Sequence, residues 1–598
     1  MSDMDSATST DASDEAAPAA DESVETSGSG ETAAPKTTRN AWWVRHYTFT
    51  GSAVGLIFLW FSMTPSLLPR GPLFQGLVSG ISGAIGYGLG VFAVWLVRYM
   101  RSQDDSPPPP RWVWPPLIAV GGVGIVLMAI WFHFWQDDVR DLMGVVHLKW
   151  YDYPLTAVVS LIVLFAFVEV GQFIRRLFSF LVRQLDRIAP FRLSATIVVV
   201  LLVTLTITVL NGVVLKFAMH SMNSTFASVN DELDPNSAPP NTALRSGGPQ
   251  SLVSWESLGH QGRVFVEGGP SRADLTAFNG SPATEPIRAY AGLNSANGII
   301  ATAELAAREL QRTGGLQRAV VAVATTTGTG WINEAEASAL EYMYNGNTAI
   351  VSMQYSYLPS WLSFLVDKEN ARQAGQALFE AVDKLIRQMP EFQRPKLVVF
   401  GESLGSFGGE APFMNLNNIL ARTDGALFSG PTFNNTVWTE LTANRDPGSP
   451  EWLPIYDDGY NVRFIARASD LQRPDAPWGK PRVVYLQHAS DPIAWWTPDL
   501  LFSEPDWLRE KRGYDVLPQT RWIPLVTFLQ VSADMAVAVD VPDGMDTATS
   551  ATSPTAGPRS CRRRAGPPRK PSGYDRCCAP TSGCGVGRRS GRPSIVSR

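Results

Sequence analysis

The stretch Pro395-Lys396-Leu397-Val398-Val399-Phe400-Gly401-Glu402-Ser403-Leu404-Gly405 is a short apolar strand running straight into Gly-x-Ser-x-Gly. Such a run followed by this pentapeptide is what a tight strand-to-helix turn needs when it holds a serine up as a nucleophile. Glycines at 401 and 405 leave room for the strained turn and for close packing of helix on strand. The backbone N–H of Leu404, at the start of that helix, points where an oxyanion would form, and the helix dipole assists it. A bare Gly-x-Ser-x-Gly carries little weight, because Gly and Ser are common and the pattern also makes simple turns. Its flanks decide what it means.

Working outward, short apolar strands alternate with amphipathic helical patterns from about 285 to 540. That alternation predicts a mostly parallel sheet with helices on both faces. Strands are expected at 286–291, 320–324, 348–353, 426–428 and 482–487, and helices at 301–312, 334–344 and 368–388, with Leu305 and Leu310 of the first turned inward. The elbow follows the long third helix, and an acid, Asp491, stands at the end of a later strand. This order of elements is the α/β-hydrolase plan. The Thr- and Gly-rich turn at 325–330 falls where the second oxyanion donor belongs, and Gly328 or Thr327 is the candidate.

Attack on an ester carbonyl also needs a base for the serine proton and an acid to orient that base. Asp491, in His-Ala-Ser-Asp-Pro, has the right context for the acid, although Ser-Asp-Pro also initiates turns. In the elbow fold the histidine follows the acid in the chain. No histidine follows His488 here, and His488 sits on the strand itself, where a hydrogen-bonded core histidine is the simpler expectation. His260 lies upstream of the sheet, and Glu402 and Glu410 read as local packing and surface groups. Trp361, Trp495, Trp496, Trp507 and Trp522 cluster in loops around the expected site, in keeping with an apolar ester substrate, although scattered aromatics also fill cores.

Upstream, residues 47–219 are dominated by apolar runs, with five membrane spans expected near 47–64, 74–97, 114–135, 154–174 and 193–215. Trp42, Trp43, Trp112, Trp114, Trp131, Trp135, Trp150 and Tyr153 gather at their ends, as in an interfacial aromatic belt. Arg98, Arg101 and Arg111 lie between spans two and three, and Arg175, Arg176, Arg183, Arg187 and Arg192 between four and five. The alternate loops hold Arg70, or an acid-rich set that includes Asp137, Asp138 and Asp141. By the positive-inside rule the amino terminus is cytoplasmic, and five spans place the sheet domain outside the cytoplasmic membrane.

The formal charge of -5 comes from residues 1–40, which carry nine acids and almost nothing large and apolar, so that it argues for no charged partner. At the other end, all four cysteines (Cys561, Cys577, Cys578 and Cys584) and eleven basic residues fall within 545–598. Their spacing makes no metal site, and nothing in the chain suggests a nucleotide, another cofactor or nucleic acid. The expected organisation is an acidic disordered tail (1–44), a membrane domain (45–220), a connector (221–284), the α/β-hydrolase domain (285–544) and a basic tail (545–598).

Several blocks together resemble a family of bacterial membrane proteins that join a multi-span amino-terminal domain to an α/β-hydrolase domain. They are Met63-Thr64-Pro65-Ser66-Leu67-Leu68-Pro69-Arg70, Thr327-Gly328-Thr329-Gly330-Trp331, Gln354-Tyr355-Ser356-Tyr357-Leu358-Pro359-Ser360-Trp361, the elbow, and Tyr485-Leu486-Gln487-His488-Ala489-Ser490-Asp491-Pro492. The resemblance implies a serine-type hydrolase, with the nucleophile on Ser403 and the acid on Asp491. It also implies a histidine segment after Val541-Pro542-Asp543-Gly544, where this chain instead has Met545-Asp546-Thr547. A frameshifted carboxyl terminus that replaced the base is one account of that departure; an ordinary basic tail is the other.

Overall fold

The computed structural model describes residues 48–101, 110–187, 190–208, 226, 228–234 and 237–538. The acidic leader, the basic tail and the positions after Gly544 lie outside them, as does part of the fifth expected span.

Five apolar helices come first: α1 (Phe49–Ser62), α2 (Pro72–Met100), α3 (Trp114–Met143), α4 (Asp152–Leu185) and α5 (Phe191–Thr208). Helices α2, α3 and α4 are long and apolar enough to cross a membrane; α1 and α5 are shorter and adjoin undescribed residues. Glycines let α2 pack tightly on two sides. A side chain at Gly80 would strike Ser160 and Val163 of α4, and one at Gly86 would strike Val54 and Phe58 of α1. Close backbone approach is how helices associate when hydrocarbon offers no hydrophobic driving force.

The second unit is a seven-stranded, all-parallel sheet. Its strands are β1 (Ile287–Ala291), β2 (Val320–Thr325), β3 (Thr348–Met353), β4 (Lys396–Glu402), β5 (Gly425–Ser429), β6 (Val462–Ile465) and β7 (Arg482–Leu486), in the order β1-β3-β2-β4-β5-β7-β6. Strands β1, β2 and β3 are buried along their whole length, which is why they read as continuous apolar runs rather than alternating ones. Helices α6 (Ile299–Arg312), α7 (Glu334–Met343), α8 (Ser360–Val366), α9 (Lys368–Arg387), α10 (Leu404–Glu410), α11 (Thr436–Ala443), α12 (Pro492–Trp495) and α13 (Val526–Val537) are the ones that bear on the site. Leu305 and Leu310 of α6 are buried as expected. Strand β6, on the outer edge beside β7, has no counterpart among the sequence expectations.

The chain turns left from β2 to β3 and right from β4 to β5, so the order reverses between β2 and β4. A crevice at the carboxyl ends of the strands at such a reversal is where open α/β sheets place ligands.

The two units meet at the loop joining α1 to α2. Ser66 Oγ and Leu67 N donate to Asp534 Oδ2 of α13, and Arg70 Nε lies 3.3 Å from Asp534 Oδ1, with both side chains fully buried. Gln530, one turn earlier on α13, donates to the Thr64 carbonyl at 2.9 Å. Arg140, at the end of α3, donates to the Arg70 carbonyl at 3.0 Å and to the Val146 carbonyl at 2.7 Å. Leu67, Leu68, Val139 and Met143 thus join the same apolar core as the sheet.

Candidate active site

Strand β4 is central and delivers Ser403 to the carboxyl edge of the sheet, where the serine is buried. The serine takes φ 54° and ψ −118°, a backbone conformation that a side chain adopts only when its surroundings enforce it. Three contacts enforce it. Its N–H donates to the Ser429 carbonyl at the end of β5 (2.9 Å), and its own carbonyl accepts from Ser406 Oγ (2.8 Å) and from Phe407 N (3.1 Å). The flanking glycines are required by contact: a Cβ at Gly401 would collide with the Gly405 carbonyl, and one at Gly405 with the Thr325 carbonyl. Helix α10 therefore starts hard against the end of β2.

The turn after β2 lies directly beside the elbow, with Thr325 in register with Gly401. Thr327 N donates to the Trp331 carbonyl (3.0 Å), which spends that amide inside its own turn. Of the two oxyanion candidates on this turn, Gly328 is the one whose amide is not engaged there. It is buried against Leu358 and Ser363, where a side chain would not fit. Leu404, the other candidate, is fully buried at the start of α10.

Beneath the elbow lies a cluster that sequence patterns did not reveal. Asn333 caps α7 through its Oδ1 and donates from Nδ2 to Glu402 Oε2 at 2.7 Å. Glu336, three residues on, accepts from Ser429 Oγ, the residue whose carbonyl holds the Ser403 amide. Burial pushes the Glu336 carboxyl up to about 7 against the pull of that hydrogen bond. Helix α7 is itself fixed by the fully buried Arg288 of β1, which donates to Glu334 and Glu341 at 2.8 Å each. Glu402 and Glu410 are both buried rather than surface groups. Glu410 accepts from Tyr485 Oη (2.6 Å) and Trp438 N (2.8 Å), and burial raises it to about 7.

Asp491 is fully buried at the end of β7 and caps α12, accepting from Ile493 N at 2.9 Å. His488 is placed otherwise. Its Nδ1 lies 3.7 Å from Asp515 Oδ2, an oxygen already taken by Ser490 Oγ (2.6 Å) and Ser490 N (3.1 Å). Burial holds His488 below the ordinary histidine value despite that carboxylate. It is half-buried in the loop two residues past the end of β7 rather than on the strand itself, where the sequence reading put it. Asp515 sits in a loop without periodicity, and no sequence signal marks it.

Among the tryptophans, Trp495 and Trp507 are core residues, 6.0 Å apart between ring centres, and Trp496 and Trp522 are half-buried. The side chain of Trp361 lies outside the described residues. No group of three or more His, Cys, Asp or Glu side chains that could hold a metal ion occurs among the described residues.

Residues 287–551 match a sequence family described as "Alpha/beta-hydrolase family", and residues 63–270 match one described as "Alpha/beta-hydrolase family N-terminus". The two matches together cover most of the chain. No curated protein and no solved structure matches it.

Proposed function

Because this chain belongs to the alpha/beta-hydrolase family, we propose that it is built as a membrane-anchored serine hydrolase of the esterase or lipase type, with Ser403 as nucleophile. The observation that carries the proposal is the strained backbone of Ser403, pinned between β2, β5 and α10 at the reversal point of the sheet. Ser403 Oγ would attack the ester carbonyl, and the Leu404 and Gly328 amides would hold the oxyanion as negative charge develops. Asp491 would orient an imidazole that takes the serine proton and returns it to the leaving alcohol. No imidazole follows Asp491 in this sequence, and the family match ends at residue 551, shortly after Gly544. The base is therefore lost from this chain by our account. A fluorophosphonate probe tests the nucleophile: labelling that disappears in Ser403→Ala supports it. Sequencing the gene tests the lost base, which falls if the frame is confirmed and neither alternative frame encodes histidine just past Gly544.

A second reading is favoured by His488, the histidine nearest Asp491, being packed against Asp515. In it the hydrolase domain is a catalytically inactive scaffold. Triad enzymes that lose a member keep only a remnant of rate from oxyanion stabilisation and binding. No labelling in this chain or in a form with a restored histidine segment would favour the scaffold.

The same contacts support the proposed membrane placement. The loops at 63–71 and 144–151 lie on the side of the helices that meets the hydrolase core, and the arginine-rich ends of α2 and α4 lie on the other. With the amino terminus cytoplasmic, the hydrolase domain is extracytoplasmic, facing an apolar ester substrate at the outer surface of the cytoplasmic membrane.

A further inference from the structure

The carboxyl edge of the sheet presents more than the elbow. Phe364 on α8 follows β3, Phe433 follows β5 and Trp496 follows β7, so all three leave the same edge as Ser403. Their rings form one row: Phe364 to Phe433 at 5.2 Å between centroids, Phe433 to Trp496 at 5.2 Å, and Trp496 to Phe528 of α13 at 5.5 Å. Phe364 is buried and the other three are half-buried. Near one end, at its second ring Phe433, the row is tied to the elbow. Asn435, two residues after Phe433, donates to Ser406 Oγ at 3.4 Å, and Ser406 holds the Ser403 carbonyl.

The other end is tied to the membrane helices. Trp496 Nε1 donates to Ser532 Oγ of α13 at 2.8 Å, which satisfies its polar edge and leaves the ring face apolar. Helix α13 in turn is fixed to the α1–α2 loop through Gln530 and Asp534. Phe502, 78% exposed, stands beside the start of that helix, where Leu525 N donates to the Leu501 carbonyl at 3.3 Å. An apolar row thus runs from the nucleophile's edge of the sheet to helices that belong in hydrocarbon.

We propose that the row Phe364, Phe433, Trp496 and Phe528 is the acyl wall of the site, and that its occupant is the chain of a membrane lipid ester entering from the bilayer. The proposal rests on Ser403 as nucleophile, and its test separates the two. The full chain is placed in phosphatidylglycerol nanodiscs doped with a phospholipid bearing a diazirine at the end of one acyl chain, irradiated, and mapped by mass spectrometry. Crosslinks on Phe433, Trp496 or Phe528, beyond those on α1 to α5, are expected; crosslinks confined to α1–α5 overturn the wall. In parallel, ethyl and hexadecyl fluorophosphonates are compared on the wild type, Ser403→Ala and Phe433→Ala. Phe433→Ala should slow hexadecyl labelling about tenfold while changing ethyl labelling less than about twofold. Equal slowing of both probes overturns the proposal. No labelling by either probe, in this chain and in a form with a restored histidine segment, sinks the nucleophile and leaves the wall to be judged by the crosslinks alone.

Discussion

The carboxyl group of Glu410 keeps its proton to a higher pH in the folded chain than in the unfolded one. Glu410 is buried under β5 and β7 with Tyr485 and Trp438 as donors, and its pKa rises from 4.5 to about 7. Below pH 4.5 the folded and unfolded states are both protonated, so the group gives stability no slope. Between about 4.5 and 7 the unfolded chain releases a proton that the folded chain keeps, and stability falls by up to about 3 kcal/mol, then levels off. Glu410→Gln keeps an acceptor for both donors and has no proton to lose. Urea melts at pH 5 and pH 7.5 should show the wild type losing stability relative to this variant over that interval; parallel pH profiles would remove the buried proton from the account. The elbow offers a steric counterpart at the same scale. Gly405→Ala drives a methyl into the Thr325 carbonyl, which belongs to a central strand and cannot give way. A loss of about 1–3 kcal/mol in the same melts, with loss of Ser403 labelling, is expected. Unchanged labelling would mean that the tight contact is unnecessary to the elbow.

Between elements, the deciding contact is Arg70 with Asp534. Ser66 and Asp534 are 468 positions apart in the chain, yet a loop between two apolar helices and the last described helix of the hydrolase domain share one buried carboxylate. Removing one member of a buried pair strands a charge and costs about 3–5 kcal/mol, whereas replacing both with apolar groups is close to neutral. Asp534→Leu alone should therefore lower the melting temperature of the detergent-solubilised chain sharply, and Arg70→Met with Asp534→Leu should recover most of it. Equal melting temperatures for the single and double variants would show that this pair does not hold the junction. Elements of this kind explain what the sequence could and could not disclose. Strands β2 and β3 were legible because burial on both faces leaves runs such as Val320-Val321-Ala322-Val323. The elbow was legible because its glycines answer to a local collision. Strand β6 was hidden: four residues interrupted by Arg463 lack both alternation and an apolar run. Asn333, Glu336 and Ser429 were hidden for another reason, since they meet only when α7 and β5 are brought to β4, and local periodicity carries no record of such a meeting.

At the scale of the whole molecule, the two units constrain each other's sidedness. The α1–α2 loop and the turn after α3 both contact the hydrolase core, so this domain occupies the side to which α1 and α3 ascend. Arg98 at the end of α2 and Arg183 near the end of α4 mark the opposite side. With the amino terminus proposed as cytoplasmic from the charge bias of the loops, this packing would put the sheet outside. The described residues contain no cysteine, so single cysteines can report the arrangement once the four in the tail are replaced by serine. Phe392→Cys, at a site 86% exposed on the hydrolase domain, should react with a membrane-impermeant maleimide in intact cells. Met100→Cys, 68% exposed at the far end of α2, should react only after the membrane is permeabilised. Reaction at position 100 with protection at 392 would invert the molecule, and would put the proposed lipid wall against the inner leaflet instead of the outer.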